Sequence, residues 1–320
     1  MDIKVLKKSE VDLQQLADLT YTVRGRSGLL AKDVTEETIL RNVCERITNH
    51  CYDWIFIAEN HSKIVGWLAF YEMQEWMLKI AHIWNWHPVV FPNENEVAAE
   101  LIQTAFLHLK ERGLHKVTID FPQVNKDTQS YFNKHLEWYS QTGITEVLEE
   151  KFYKKNITEE NLEISIPDEY SLGYISETDL EVLFDCWVKT FSSSKDKFFL
   201  SLDAKGRRDF FFDRWSRDKP LIKEASLTLF HKDKLIGFIR MLPLHEPTDG
   251  CLSGIGILPE YRRKGLTREL LKAGMLRLKE SNYRTISFFV STTNSAAISF
   301  YKKLGLESQY KIASLSGEIT

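Results

Sequence analysis

Cysteine is scarce. The four in 320 residues, Cys44, Cys51, Cys186 and Cys251, match neither a metal-ligand spacing nor the dense framework of a disulfide-stapled domain, so a reducing compartment is the simpler setting. No run of about 18 apolar residues occurs, the length that a membrane-crossing helix needs. The opening Met-Asp-Ile-Lys-Val-Leu-Lys-Lys lacks the apolar core of a secretion signal, so a cytoplasmic chain with no membrane partner is expected. Nine histidines show no His-Glu-x-x-His or comparable spacing, and no metal is implied. Strong charge is missing too, since a formal net charge of −3 is too mild to imply a nucleic-acid partner. That figure hides an asymmetry: residues 1–160 hold 18 Lys and Arg against 24 Asp and Glu, and residues 161–320 hold 24 against 21. The second half is mildly basic, which suits a polyanionic ligand.

What is present is a strand, an arginine-glycine loop and a helix, Gly254-Ile255-Gly256-Ile257-Leu258-Pro259-Glu260-Tyr261-Arg262-Arg263-Lys264-Gly265-Leu266-Thr267-Arg268-Glu269-Leu270-Leu271. Backbone N–H groups converging at a helix start, backed by its dipole, bind an anion without charged side chains. Arg262, Arg263, Lys264 and Arg268 add positive charge, and Gly265 allows close approach and a backbone angle closed to other residues. The pattern predicts a pyrophosphate cradle. After the helix come an apolar run, Thr285–Val290, and then Asn294-Ser295-Ala296-Ala297-Ile298-Ser299-Phe300-Tyr301-Lys302-Lys303-Leu304-Gly305.

Together these segments resemble the GNAT family of acyl-CoA-dependent N-acyltransferases. Arg262 and Gly265 match its loop pattern of Arg or Gln, two residues, Gly, one residue, Gly or Ala; Thr267 departs from it. Asn294, Ala297, Tyr301 and Gly305 match its second motif, with Leu306 replacing Phe. The resemblance covers the last third of the chain.

A weaker self-similarity runs through the whole sequence. Ser62–Leu68 aligns with Asp233–Ile239 at a displacement of 171, as Pro88 does with Pro259, whereas Glu100–Glu111 aligns with Glu269–Glu280 at 169, as Asn125 does with Asn294. The two-residue difference is expected inside the phosphate loop. The fold class implied is α/β (α+β): two tandem GNAT-like domains, each a mixed, partly splayed sheet flanked by helices, at residues 1–160 and 161–320. In the second copy, strands are expected near Tyr170–Tyr174, Glu224–Phe230, Leu235–Leu242, Cys251–Ile257 and Thr285–Ser291, and helices near Glu177–Phe191, Ala204–Trp215, Leu266–Ser281 and Ser295–Leu304. Residues 149–167 read as a linker or as a crossing strand plus turn. The first copy replaces the cradle with Pro88-Val89-Val90-Phe91-Pro92-Asn93-Glu94-Asn95-Glu96, which has no glycine, no basic residue and two acidic ones. Phe132 stands opposite Tyr301, and His82, Trp84 and Trp86 stand opposite Ser253, Ile255 and Ile257, either as a plugged cleft or as an ordinary core face. The first copy is expected to be non-catalytic.

The resemblance implies acetyl-CoA as co-substrate and a small-molecule or peptide amine as acceptor; the acceptor's identity and the oligomeric state stay open. The implied cofactor-binding residues are Arg262, Arg263, Lys264, Gly265, Leu266 and Thr267 in the loop, main-chain groups of Ile255 and Ile257, and Asn294, which equally reads as a helix cap. Tyr301 is the implied general acid for the leaving thiolate, against a plain core tyrosine. Gly254 and Gly256 leave room for the cofactor arm or the acceptor, or mark a bulge. The general base is left among His245, Glu246, Asp249, a water chain or an acceptor arriving neutral. Phe198, Phe199, Phe210, Phe211, Phe212 and Trp215 line an acceptor pocket or fill a core. The competing readings are an acyl-CoA sensor or scaffold without turnover, and an interaction module in which the cradle serves only structure.

Overall fold

A computed structural model describes the chain except for residues 50–53, 76–77, 195, 197–198, 201, 217–219, 245 and 320. Cys51, Phe198 and His245 therefore lie outside the described residues. Two compact units emerge, Met1–Glu149 with Tyr310–Thr320, and Glu150–Gln309.

The first unit comprises β1 (Asp2–Leu6), α1 (Leu13–Arg26), α2 (Glu36–Asn49), β2 (Ile55–Asn60), β3 (Lys63–Glu75), β4 (Leu78–Ile83), β5 (Val89–Val90), α3 (Asn95–Glu111), β6 (Lys116–Phe121) and α4 (Gln129–Ser140). The second comprises β7 (Glu146–Asn156), β8 (Tyr170–Tyr174), α5 (Leu180–Ser192), α6 (Ala204–Trp215), β9 (Leu227–His231), β10 (Lys234–Pro243), β11 (Asp249–Ile257), α7 (Leu266–Glu280), β12 (Thr285–Ser291) and α8 (Ser295–Lys303). The last strand, β13 (Ser308–Glu318), returns to the first unit, whose strand order is β1-β2-β3-β4-β6-β13, with β5 paired to β3. The second unit's order is β7-β12-β11-β10-β9-β8. Each sheet is antiparallel except for one parallel pair at its heart, β4 with β6 and β11 with β12.

A cut between residues 160 and 161 does not separate the units, because each is closed by a strand that such a cut removes. β7 pairs with β12 from Glu150↔Ser291 to Asn156↔Thr285, and its Tyr153 joins the second core. β13 pairs with β6 from Ala313↔Phe121 to Glu318↔Lys116, and its Ala313 and Leu315 join the first core. Residues 149–167 thus begin with a strand. Two smaller differences concern the second copy, where β9 starts at Leu227 after a 3₁₀ turn over Lys223–Ala225, and α5 starts at Leu180, capped by Asp179, which accepts from the N–H groups of Glu181 and Val182.

Ladder register also moves the repeat's two-residue difference. The first parallel pair, Ile80↔Lys116, corresponds to Asp249↔Thr285 at a displacement of 169 for both residues, whereas the preceding hairpins, Asn60↔Lys63 and His231↔Lys234, correspond at 171. The difference falls in the hairpin between β3 and β4, not in the loop, and Ser253 and Ile255 stand opposite Trp84 and Trp86. In the first unit these rings are buried. Trp86 stacks on Tyr131 at 6.0 Å and meets Phe121 edge-on at 5.2 Å.

In the second unit, α7 packs on β10 and β11 through Leu270, Leu271, Gly274 and Leu278. At Gly274 an added Cβ would sit 2.9 Å from Ile239 Cδ1, so glycine sets how closely this helix approaches the sheet.

Candidate active site

Helices α5, α6 and α8 each begin with a side-chain cap, from Asp179, Asp203 and Asn294. Helix α7 has none. It starts directly after Gly265, at φ +81°, preceded by Arg263 at φ +64°. Among the described residues, the backbone N–H groups of Arg263, Lys264, Gly265, Leu266 and Thr267 donate to no protein acceptor. Five consecutive free donors at the positive end of a helix are an anion-binding arrangement. Leu266 is buried and pins the helix start, while Arg263, Lys264 and Gly265 are exposed. No protein atom lies within 4 Å of a Cβ built on Gly265, so its demand for glycine comes from the left-handed angle, not from crowding.

The structure places the Arg262 side chain differently from its neighbours. Nε donates to the Ile257 carbonyl at 3.0 Å and Nη2 to the Thr190 carbonyl at 2.7 Å. Its charge thereby caps the last turn of α5 and ties the loop to the end of β11. Arg262, although exposed, is engaged as a latch by these two bonds, and Arg263, Lys264 and Arg268 are the other exposed charges of the loop.

β11 and β12 pair only from Asp249↔Thr285 to Cys251↔Ser287, and then part. Leu258 N–H donates to the Ile236 carbonyl at 2.8 Å, and alternation along the antiparallel ladder then turns the N–H and C=O groups of Ile257 and Ile255 away from β10, into the gap. A register shift opposite Arg240 and Met241 leaves Ser253 as the extra residue of a bulge. The two strand glycines have separate reasons. A Cβ on Gly256 would lie 2.3 Å from Thr190 Cγ2 of α5, so glycine there lets the helix pack, whereas a Cβ on Gly254 would make ordinary contacts with Phe238 and Trp215 at 3.7 and 3.8 Å.

Tyr301, on α8, is buried among Phe288 at 4.4 Å, Phe300 at 5.2 Å and Tyr153 at 5.7 Å. Burial, and after it the neighbouring Tyr153, push its phenol well above the ordinary value, so it holds its proton at neutral pH. Tyr153, supplied by β7, escaped the sequence reading; its apolar neighbours give the only signal, within a strand that otherwise carries charge. Asn294 Oδ1 accepts from Ala297 N–H at 3.1 Å, which is the capping geometry.

Asp249 and Glu246 stand at the opposite end of β11 from Ile257, about 26 Å away at the rise of a strand. Asp249 accepts from Lys154 and from Thr285 Oγ1, and these bonds hold its carboxyl below the ordinary range. It anchors the parallel pair and is removed from the candidate bases. The aromatic cluster is largely core: Phe199 and Phe211 are fully buried and pack on Trp187, while Trp215 packs edge-on to Phe238. Trp215 also lines a cavity of about 150 Å³ with Ile175, Leu180, Leu221, Lys223 and Arg240. Arg240 is 5% exposed; it donates to Ser253 Oγ at 3.0 Å and to the Arg214 carbonyl, and lies 4.9 Å from the centre of the Trp215 ring. The sequence reading missed it, although a lone cation inside the apolar run Ile236–Leu242 is a visible signal. Among the described residues, no group of three or more His, Cys, Asp or Glu is placed to hold a metal ion, and no helix is long and apolar enough to cross a membrane.

A parted parallel pair beside an uncapped, glycine-led helix is the kind of arrangement that open α/β sheets offer to phosphate-bearing ligands. Residues 187–306 match the family model described as acetyltransferase (GNAT) family. Over 73 residues the chain is 32% identical to mycothiol acetyltransferase of Actinosynnema mirum, covering 23% of this chain and 24% of that protein; the match thus spans about a quarter of that relative's length. The fold extends the likeness to the whole chain. A GCN5-related N-acetyltransferase from Sphaerobacter thermophilus covers 99% of this chain and 96% of its own at TM-score 0.61 and 13% identity. A tandem GNAT protein from the clavulanic acid biosynthesis pathway covers 100% and 99% at TM-score 0.53 and 12% identity. The fold is a tandem GNAT fold.

Proposed function

We propose that the second unit is an acyl-CoA-dependent N-acyltransferase that moves acetyl from acetyl-CoA to a primary amine by direct attack in a ternary complex. The observation that carries this is the row of five free N–H groups from Arg263 to Thr267 beside the parted ends of β11 and β12. The row receives the pyrophosphate, with Arg263, Lys264 and Arg268 adding charge, and Arg262 holds the loop in shape. The outward N–H of Ile255 is placed to steady the thioester oxygen as it gains charge. Tyr301 protonates the departing thiolate as the C–S bond breaks, and the proton that the attacking nitrogen sheds as the amide forms restores the phenol. With Asp249 and Glu246 at the far end of β11, the acceptor amine enters already neutral or loses its proton through a water chain. The buried Arg240 beside the bulge suits an acceptor that carries an acidic group near its amine.

Calorimetry tests the reading: acetyl-CoA is expected to bind once per chain, because the first unit's loop carries Glu94 and Glu96 and no glycine. Gly265→Val should weaken binding at least tenfold, since a β-branched residue resists the left-handed angle by about 1–2 kcal/mol and the distorted loop loses converging donors. Two sites per chain, or full affinity in the variant, would overturn the assignment. Binding with no CoA release across a panel of amines would leave the sensor reading in its place.

A further inference from the structure

The first unit lacks a cradle, yet it holds a cationic cavity of its own. This cavity, about 180 Å³, is lined by Arg24 from α1, Arg46 from α2, Asn85 and Trp86 just beyond β4, and Gln123 and Thr128 just beyond β6. It sits at the carboxyl ends of the parallel pair, where open α/β sheets bind their ligands. We propose that it binds a small metabolite through a compact oxyanion, a carboxylate or a phosphate, gripped between Arg24 and Arg46.

Three observations carry the inference. Arg24 is unfinished: Nη2 reaches the Asn85 carbonyl at 3.3 Å, but Nε is buried with no hydrogen-bond partner. A guanidinium presents a planar fork that a carboxylate or phosphate fills with two parallel bonds. Its charge is unbalanced as well. Among the described residues no carboxylate lies within ion-pair distance of either arginine, and Arg46 acts on Arg24 by repulsion; burial, and after it Arg46, pull Arg24 down to about 10. An anion entering between them relieves both the desolvation and the repulsion. The walls are strained where they meet the ligand. Trp86 at φ +63° and Gln123 at φ +60° take the left-handed conformation without being glycine, each just after its strand ends. Non-glycine residues held this way gather at ligand clamps. The site is separate from the Pro88–Glu96 segment, whose acidic side chains do not line it.

The test uses the full chain, titrated at constant ionic strength with inorganic phosphate and, separately, with acetate, against chloride. Tryptophan fluorescence reads the site directly, because Trp86 lines it and Trp84 lies beneath Arg46 at 5.6 Å; thermal unfolding gives an independent measure. We expect a saturable fluorescence change and a rise in Tm with at least one probe, the responding probe naming the oxyanion. Arg24→Gln and Arg46→Gln should each weaken it at least tenfold. Gly265→Val, which disables the second unit's loop, should leave it intact, so failure of the acetyltransferase reading does not affect the result. A response that never saturates, or that Arg46→Gln leaves unchanged, overturns the proposal. Arg46 is exposed, so its variant decides the matter even where Arg24→Gln fails to fold.

Discussion

Replacing Tyr301 by phenylalanine keeps the ring among Phe288, Phe300 and Tyr153 and removes only a hydroxyl. Acetyl-CoA affinity should stay nearly unchanged while turnover falls about ten- to a thousandfold, the range for losing a positioned acid. Stability should drop by roughly 1 kcal/mol or less, since no protein group among the described residues bonds the hydroxyl. Single-turnover kinetics beside calorimetry check it: wild-type turnover would return Tyr301 to the core, and a joint collapse of affinity and rate would make it a positioning residue. At this scale the sequence was informative wherever a residue type has few structural excuses. A glycine between basic residues before an apolar helix points to a left-handed turn, and Gly265 has that backbone angle. Arginine has several readings, and Arg262, adjacent to the free donors, turned inward to the carbonyls of Ile257 and Thr190. Nothing in a linear pattern distinguishes an arginine that faces a ligand from one that caps a neighbouring helix.

The parallel pair of β11 and β12 is short, three residues long, and Asp249 secures its start through Lys154 and Thr285. Lys154 first, and Thr285 after it, hold the Asp249 carboxyl below its ordinary value. This contribution is therefore present above the ordinary aspartate value of about 3.9 and is lost as pH falls through the lowered one. Asp249→Asn should cost about 1 kcal/mol at pH 7, below the usual range for charged hydrogen bonds because Lys154 faces solvent, and should flatten the acid limb of a Tm-against-pH curve. Parallel curves for variant and wild type would show that the pair does not anchor the strands. Elements bounded by clear turn and cap residues were legible to the residue: β8, β12 and α6, the last opened by the Asp203 cap, fall where the sequence puts them. β7 was left open between a linker and a crossing strand, because the charged Glu149-Glu150-Lys151-Phe152-Tyr153-Lys154-Lys155 fits either until a partner strand is known. Its pairing with β12 supplies what its composition conceals.

For the molecule as a whole, the exchange of closing strands decides what can be separated from what. A fragment from Ile164 onward loses β7, leaving one edge of β12 unpaired and Tyr301 without Tyr153, and keeps β13, whose Ala313 and Leu315 belong to the other core. It should be poorly soluble and inactive. A fragment spanning Glu146–Gln309 carries its own closing strand and should fold better, by circular dichroism and thermal unfolding. A monomeric, fully active Ile164–Thr320 fragment would refute the argument. The same exchange sets a timetable for synthesis. β6 leaves the ribosome about 190 residues before β13, the strand that must lie beside it. At cellular elongation rates of about 5–20 residues per second, the earlier-made half waits roughly 10–40 s with an open sheet edge. During that interval it is exposed to mispairing with nascent neighbours, and translation that stops short of β13 is predicted to spoil the half that was made first.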